Sequence, residues 1–350
     1  MAERRSTRTR PLPRPADDTL AAALAAVVGE ALATPDVRVE GLQRLSGGAS
    51  RETFAFDAVD ASGARRPLIL QRERPGGAIG TGGGTRTEAG LLRAAAAEGV
   101  PVPGVLLTGP APDRRDAEAE GGPLGAAYVV VDRLEGETIP RRILRDDRYA
   151  DARARLAAQC GRALAGIHAI PVEQVEGLHD RDQVAQFRDL MDALGEPHPA
   201  FELAFRWLES NRPPAGPTRV VHGDFRNGNL IIGPEGLRAV LDWELAHLGD
   251  PMEDLGWLCV KAWRFGGRPP VGGFGEYREL FDAYADAAGL DGGVDPAVVR
   301  WWEVLGTVKW GVMCIIQAAS HLQGLSRSVE LAAIGRRVCE NEHDVLALLP

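Results

Sequence analysis

Asp224, Asn229 and Asp242 are the residues whose types and spacing suggest chemistry. Asp224 and Asn229 sit five apart in Val220-Val-His-Gly-Asp-Phe-Arg-Asn-Gly-Asn-Leu-Ile-Ile232, and Asp242 follows in Ala239-Val-Leu-Asp-Trp-Glu244. Two apolar runs, Leu230–Ile232 and Ala239–Leu241, flank Gly233-Pro-Glu-Gly236, which predicts a β-hairpin. Such a hairpin gathers the three oxygen-bearing side chains into one small volume. Phosphoryl transfer needs that set: an acceptor for a hydroxyl proton, and hard oxygen ligands for magnesium.

The block continues as Gly249-Asp-Pro-Met-Glu-Asp-Leu-Gly-Trp257. His-Gly-Asp-x4-Asn, a hairpin, Leu-Asp-Trp-Glu and then Gly-Asp-Pro-x-x-Asp-Leu, in this order, resemble the catalytic region of the aminoglycoside phosphotransferase family. That resemblance implies an α+β, two-lobed, protein-kinase-like fold, with a small β-rich N-terminal lobe and a larger helical C-terminal lobe. It further implies Asp224 as base, His222 as the residue that orients the loop, and Asn229 and Asp242 as ligands of Mg2+. Asp250 and Asp254 would brace the helical lobe. The cofactors implied are ATP, with GTP as the alternative donor, and magnesium.

The remaining elements must position this block. Residues 1–16 carry five arginines and three prolines without an apolar stretch, and read as a disordered tail. Asp17–Ala33 has Leu20, Leu24, Val27 and Val28 at helical spacing, a helix to be packed on the first lobe. Val37–Leu45 and Arg51–Phe56 read as strands around Ser46-Gly47-Gly48. In the family this turn closes over the ATP phosphates, because glycines let backbone N–H groups approach them.

Pro67–Arg74 reads as the third strand, where kinases place a phosphate-binding lysine. Lys261 and Lys309 are the only lysines of the chain, so another residue must serve. Matching the family's register puts Gln71 there; a shift of one puts Arg72 there, which the chemistry of phosphate favours. Strand alternation lets only one of them face the nucleotide. Glu88, in Thr85-Arg-Thr-Glu, takes the place of the glutamate that steadies the phosphate-binding cation, and the same four residues spell a capping box. The glycine-rich run 76–84 lacks a Gly-Lys-Ser/Thr ending and reads as a connector. Ala127–Leu134 reads as a buried strand leading into a hinge near 131–135, where backbone groups of Asp132, Arg133 and Leu134 would meet adenine. The lobes then span 17–131 and 132–350.

A net charge of −9 argues against a general binder of nucleic acid or of an anionic membrane surface. No apolar run approaches the ~20 residues that a membrane span needs. Cys160, Cys259, Cys314 and Cys339 show no metal-type spacing and read as reduced thiols of a cytoplasmic protein. His168, at the end of an alanine- and leucine-rich helical stretch, reads as a satisfied core histidine. The expected partner is a small molecule with a hydroxyl group.

Its identity stays open. Polycationic aminoglycosides need a carboxylate-lined pocket. The segments expected to line one carry Asp189, Asp192, Glu196 and Glu303, but also arginine, lysine and aromatics. Leu241–Pro251 and the Trp301–Gly311 helix look most like bacterial phosphotransferases of unsettled substrate. They also look like the kinase domain fused to acyl-CoA dehydrogenases, which phosphorylates hydroxyacyl-CoA. The readings are therefore a kinase of a metabolite or hydroxyacyl compound, an antibiotic phosphotransferase, and a nucleotide-binding regulator without catalysis.

Overall fold

A computed structural model describes residues 15–45, 51–73, 84–109, 122–325 and 328–350. Residues 1–14 of the expected tail and the turn Ser46-Gly47-Gly48 fall outside them, as does most of the 76–84 run, whereas Pro15 and Ala16 are helical. The chain divides into two compact units, one of 1–78 with 105–133 and one of 79–104 with 134–350. Each is described by itself.

The first unit is a five-stranded antiparallel sheet with one helix. Helix α1 spans Pro15–Ala31, followed by β1 (Arg38–Leu45), β2 (Arg51–Val59) and β3 (Arg65–Glu73). The helix α2, Gly84–Ala97, belongs to the second unit. Strands β4 (Val105–Thr108) and β5 (Tyr128–Asp132) complete the sheet in the order β1-β2-β3-β5-β4. Leu20, Leu24 and Val28 recur on one face of α1 and pack with Phe54, Phe56, Leu68, Leu70 and Val130. Alternation along the strands puts those sheet residues on one face, so α1 covers that face as its sequence period predicts.

The second unit is helical apart from two strand pairs. After α2 come α3 (Pro140–Arg145), α4 (Ala150–Ala169), α5 (Gln183–Leu194) and α6 (Pro199–Ser210). Strands β6 (Arg219–Val221), β7 (Leu230–Gly233), β8 (Gly236–Val240) and β9 (His247–Gly249) follow. Helices α7 (Met252–Cys259), α8 (Tyr277–Ala288), α9 (Pro296–Leu322), α10 (Val329–Gly335) and α11 (Val338–Leu348) close the chain. The predicted hairpin is β7–β8, with Leu230 opposite Val240 and a register shift after Ile231. Strands β6 and β9 pair antiparallel, Val221 opposite His247. A core of Phe201, Phe205, Trp257, Trp301, Val304 and Val308 joins α6, α7 and α9. These two small sheets present the loops 222–229 and 241–246 side by side.

Candidate active site

The loop 222–229 is pinned at its start by a buried carboxylate. Asp254, fully buried on the first turn of α7, accepts from the backbone N–H of His222 (2.8 Å) and of Gly223 (2.9 Å). His168 reaches the same carboxylate through Nε2 at 3.1 Å, while its Nδ1 lies 2.9 Å from the Tyr284 hydroxyl. Both ring nitrogens of His168 are thus used in the core. Gly223 adopts φ +75°, and a Cβ there would lie 2.4 Å from the Leu245 carbonyl oxygen. The tight approach of the two loops therefore requires glycine.

His222 holds the loop from inside. Its Nε2 lies 3.1 Å from the Leu241 carbonyl, which only accepts, so Nε2 carries the proton. The bare Nδ1 then accepts from the Asp224 N–H at 3.2 Å. Burial lowers its pKa, against the opposing pull of Asp254 and Asp224, which keeps this neutral tautomer. Trp243 packs on the ring at 4.6 Å. The histidine ties loop 222–229 to the end of β8.

Asp224 is 8% exposed and its carboxylate is the focus of the site. Trp257 Nε1 donates to Oδ1 (2.9 Å), Asn229 Nδ2 donates to Oδ2 (2.6 Å), and Arg226 Nε spans both oxygens at 3.0 and 3.2 Å. Asn229 Nδ2 also donates to the Asp224 carbonyl at 3.0 Å, which directs its carbonyl oxygen away from Asp224. The Asn229 backbone carbonyl in turn accepts from Leu241 N–H at 2.8 Å. That bond extends the hairpin and sets Asp242 beside Asn229 in the backbone. Asp242 has φ +65°, a left-handed conformation unusual for a non-glycine residue and frequent where function fixes a side chain.

Magnesium would suit this donor set. The Asn229 and Asp242 side chains are hard oxygen donors, and the amide of Asn229 is oriented by its own hydrogen bonds. Among the described residues no three His, Cys, Asp or Glu side chains converge as a metal cage. Magnesium usually keeps several waters and takes only one or two protein carboxylates. The residues present fit that ion.

Beneath the loop lies a buried polar network. Lys309 donates to the Gly223 carbonyl (3.1 Å) and to Glu253 (3.2 Å), and sits 4.6 Å over the Trp257 ring. Glu253 also meets His247 Nε2 at 3.0 Å and the Gln183 side-chain amide. Burial would raise the Glu253 carboxyl, but His247 and Lys309 overcome it and hold it down to about 2. Burial lowers the His247 pKa and Glu253 more than restores it, for a net rise.

A depressed carboxyl stabilises the fold above its unfolded pKa and loses that share as the pH falls. For Glu253 the window runs from its ordinary value of 4.5 down to about 2, on the order of 3 kcal/mol. Glu253→Gln should therefore be less stable than the parent at neutral pH, with the difference in urea-unfolding free energy shrinking across that window. A difference that stayed constant with pH would remove Glu253 as its source.

The candidate nucleotide residues of the first unit divide by strand face. Arg72 shares the face of Leu68 and Leu70, under α1, where its guanidinium pairs with Glu52, donates to the Leu124 carbonyl at 3.0 Å and lies over Phe54. Gln71 points to the other face with Ile69. Asp132 pairs with Arg66 at 2.9 Å, and Arg133 pairs with Asp57 at 2.6 Å. The Arg133 N–H donates to the Pro67 carbonyl at 3.0 Å. Leu134 begins the second stretch of the second unit, and Glu88 is buried in α2 of that unit.

Sequence reasoning passed over Arg226, Trp257, Glu253 and Lys309. Arg226 carried a signal, since it stands two residues beyond Asp224 on the same turn. Trp257 and Lys309 come from 33 and 86 residues away along the chain, to Asp224 and Gly223, and only packing brings them in.

Known proteins resemble this chain in sequence and in fold. Residues 41–302 match the model of the phosphotransferase enzyme family, described as APH. The chain is 28% identical over 225 residues to acyl-CoA dehydrogenase family member 10 of Mus musculus, covering 60% of this chain and 20% of that protein. It therefore spans about a fifth of that relative. Among solved structures, a candidate aminoglycoside phosphotransferase of Ralstonia eutropha superposes with a TM-score of 0.68 at 18% identity, over 93% of this chain and 97% of that one. Spectinomycin phosphotransferase, solved with ADP and spectinomycin, superposes with a TM-score of 0.58 at 13% identity, again over 93% and 97%. The matched region takes in nearly all of the five-stranded sheet and the Asp224 loop, and so the chain belongs to the phosphotransferase enzyme family, with a protein-kinase-like fold.

Proposed function

We propose that this protein transfers the γ-phosphate of ATP to the hydroxyl of a small metabolite or hydroxyacyl compound, with Asp224 accepting the hydroxyl proton. The observation that carries the reading is the Asp224 carboxylate, nearly buried and held in one orientation by Trp257, Asn229 and Arg226. Fixed orientation of the acceptor group is what accelerates such a transfer, because little covalent chemistry is asked of the protein. Asn229 and Asp242 would hold magnesium, which neutralises phosphate charge when bound. His222 positions the loop and, being neutral and bonded at both nitrogens, takes no proton. Arg226 uses Nε on Asp224, which leaves its terminal nitrogens for a phosphoryl oxygen.

For the nucleotide, the family resemblance supports the Ser46–Gly48 turn, Glu88 and backbone groups of Asp132–Leu134. Of the two strand residues we assign the phosphate-facing position to Gln71, since Arg72 is engaged by Glu52 under α1. Gln71→Ala should therefore weaken ATP affinity more than Arg72→Met, which should instead lower stability. The opposite ranking in nucleotide titrations would restore Arg72 to the site.

The direct test is consumption of ATP with magnesium against hydroxyacyl-CoAs, hydroxy acids, amino alcohols, aminoglycosides and macrolides. Turnover with one class, absent in Asp224→Ala, is expected. A second reading, a nucleotide-binding regulator, draws on one observation: the chain has no lysine on β3. ATP binding without turnover of any acceptor would favour it.

A further inference from the structure

A cavity of about 150 Å³ opens beside the catalytic loop within the second unit. Its walls come from His179 and Arg181 ahead of α5, from α5 itself, from the segment Leu245–His247 and from α9. Leu245 and His247 also flank Gly223, the residue before Asp224, and Lys309 is bonded to the Gly223 carbonyl. The cavity thus abuts the base through its immediate neighbour in the chain.

The lining has one sign of charge. Lys309 and Arg181 are its cationic side chains, His247 and His179 add imidazole rings, and no Asp or Glu lines it. Glu253 lies behind the wall, buried and already shared by Lys309, His247 and Gln183. Phe187 and Leu190 from α5 and Met313 and Ile316 from α9 supply an apolar wall. Helical phase explains both faces. Lys309, Met313 and Ile316 recur at four and three residues on α9, and Gln183, Phe187 and Leu190 do so on α5.

The same phase removes the acids that made the pocket ambiguous in the sequence. Asp189 and Asp192 face solvent on the far side of α5, where Asp192 pairs with Arg188. Glu196 lies beside His198 at 3.6 Å. Glu303 is buried elsewhere, against the Tyr277 hydroxyl at 2.9 Å and Arg264 at 3.0 Å. A polycation would meet like charge in this cavity and find no carboxylate.

We infer that the acceptor is an amphiphilic anion, an apolar chain bearing a carboxylate or phosphate head group, held in this cavity by Lys309 and Arg181. The inference rests on Asp224 being the site of transfer, but the cavity's preference is measurable without turnover. Octanoate, octyl phosphate, octylamine and octanamide, titrated calorimetrically into the full chain, separate charge from chain length. One or both anions should bind at least about tenfold more tightly than the amine and the amide. The tighter of the two anions identifies the head group.

Arg181 is exposed, so Arg181→Glu leaves the core intact. It should weaken anion binding about fivefold or more, since reversal doubles the loss of a single surface charge, and leave octanamide unchanged. Lys309→Met should weaken it further, but it also disturbs Glu253, which makes Arg181→Glu the deciding variant. Equal or tighter binding of the amine or amide, or absence of binding by all four, would overturn the inference. Arg181-dependent anion binding without turnover of any acceptor with magnesium and ATP would leave the anion site standing and defeat the kinase reading. Preferred phosphorylation of an amino alcohol would do the reverse.

Discussion

Asp224→Asn should lower kcat by about 10³-fold while leaving ATP affinity within roughly twofold of the parent. The substitution keeps the shape of the side chain and removes its capacity to take a proton. The three donors on the carboxylate make the result sharper than it would be in an open site. Trp257 Nε1, Asn229 Nδ2 and Arg226 Nε converge on two oxygens, and an amide offers only one. One donor must turn away, so the variant loses some positioning as well as the base. Asp224→Ala removes the carboxylate from all three donors: Asn229 Nδ2 keeps the backbone carbonyl of residue 224, but the buried Trp257 Nε1 is left unmet, and an unmet buried donor costs about 1–3 kcal/mol. Loss of activity in the alanine variant alone would therefore be ambiguous between chemistry and folding. Single-turnover kinetics on Asp224→Asn, with nucleotide binding measured alongside, separates the two. Turnover within about tenfold of the parent would remove Asp224 from the role of base.

The parts of this site that are legible in the sequence are local ones. His222, Asp224 and Asn229 lie on a single loop, and the hairpin that returns the chain to Asp242 announces itself by two apolar runs around Gly233 and Gly236. Short-range spacing fixes short-range geometry, so residue order alone is enough to group the three side chains. The choice between Gln71 and Arg72 cannot be made in the same way. Alternation says that they face opposite sides, but the side each takes depends on where α1 packs, and that is a tertiary fact. Once Leu24 and Val28 cover Leu68 and Leu70, Arg72 goes with them and finds Glu52.

The acids of α5 show a second limit. Asp189 and Asp192 are plainly present in the sequence, and their relevance to a pocket depends on the rotation of one helix. Phe187 and Leu190 face inward because they join the apolar core of the helical unit, and the acids are turned out by the same rotation. The Lys309–Glu253 pair is hidden for another reason. Its partners are 56 residues apart, and neither carries a local motif. Buried charges of this kind are readable only after the core that surrounds them is assembled.

Asp254 joins the two levels, being both part of a readable motif and the anchor of a distant loop. Asp254→Ala is expected to destabilise the protein by about 3–5 kcal/mol, the loss typical of removing one partner of a buried charged set. The expectation follows from three donors. The His222 and Gly223 amides and the His168 ring all end on this carboxylate, at 2.8, 2.9 and 3.1 Å, in a place with no exposure to solvent. The carboxylate also sits on the first turn of α7, where the helix N-terminus favours a negative charge. Alanine would leave both amides buried without acceptors and free the loop that carries Asp224. Asp254→Asn retains an acceptor and should lie between the parent and the alanine variant. The effect on turnover should exceed what the unfolded fraction explains, because Gly223 immediately precedes Asp224, the proposed base, and its φ of +75° is held by that bond. Urea unfolding at neutral pH reads the stability, and kcat normalised to folded protein reads the loop. A change below about 1 kcal/mol would mean that the amides find other acceptors, and the carboxylate would then be a bystander to the loop rather than its anchor.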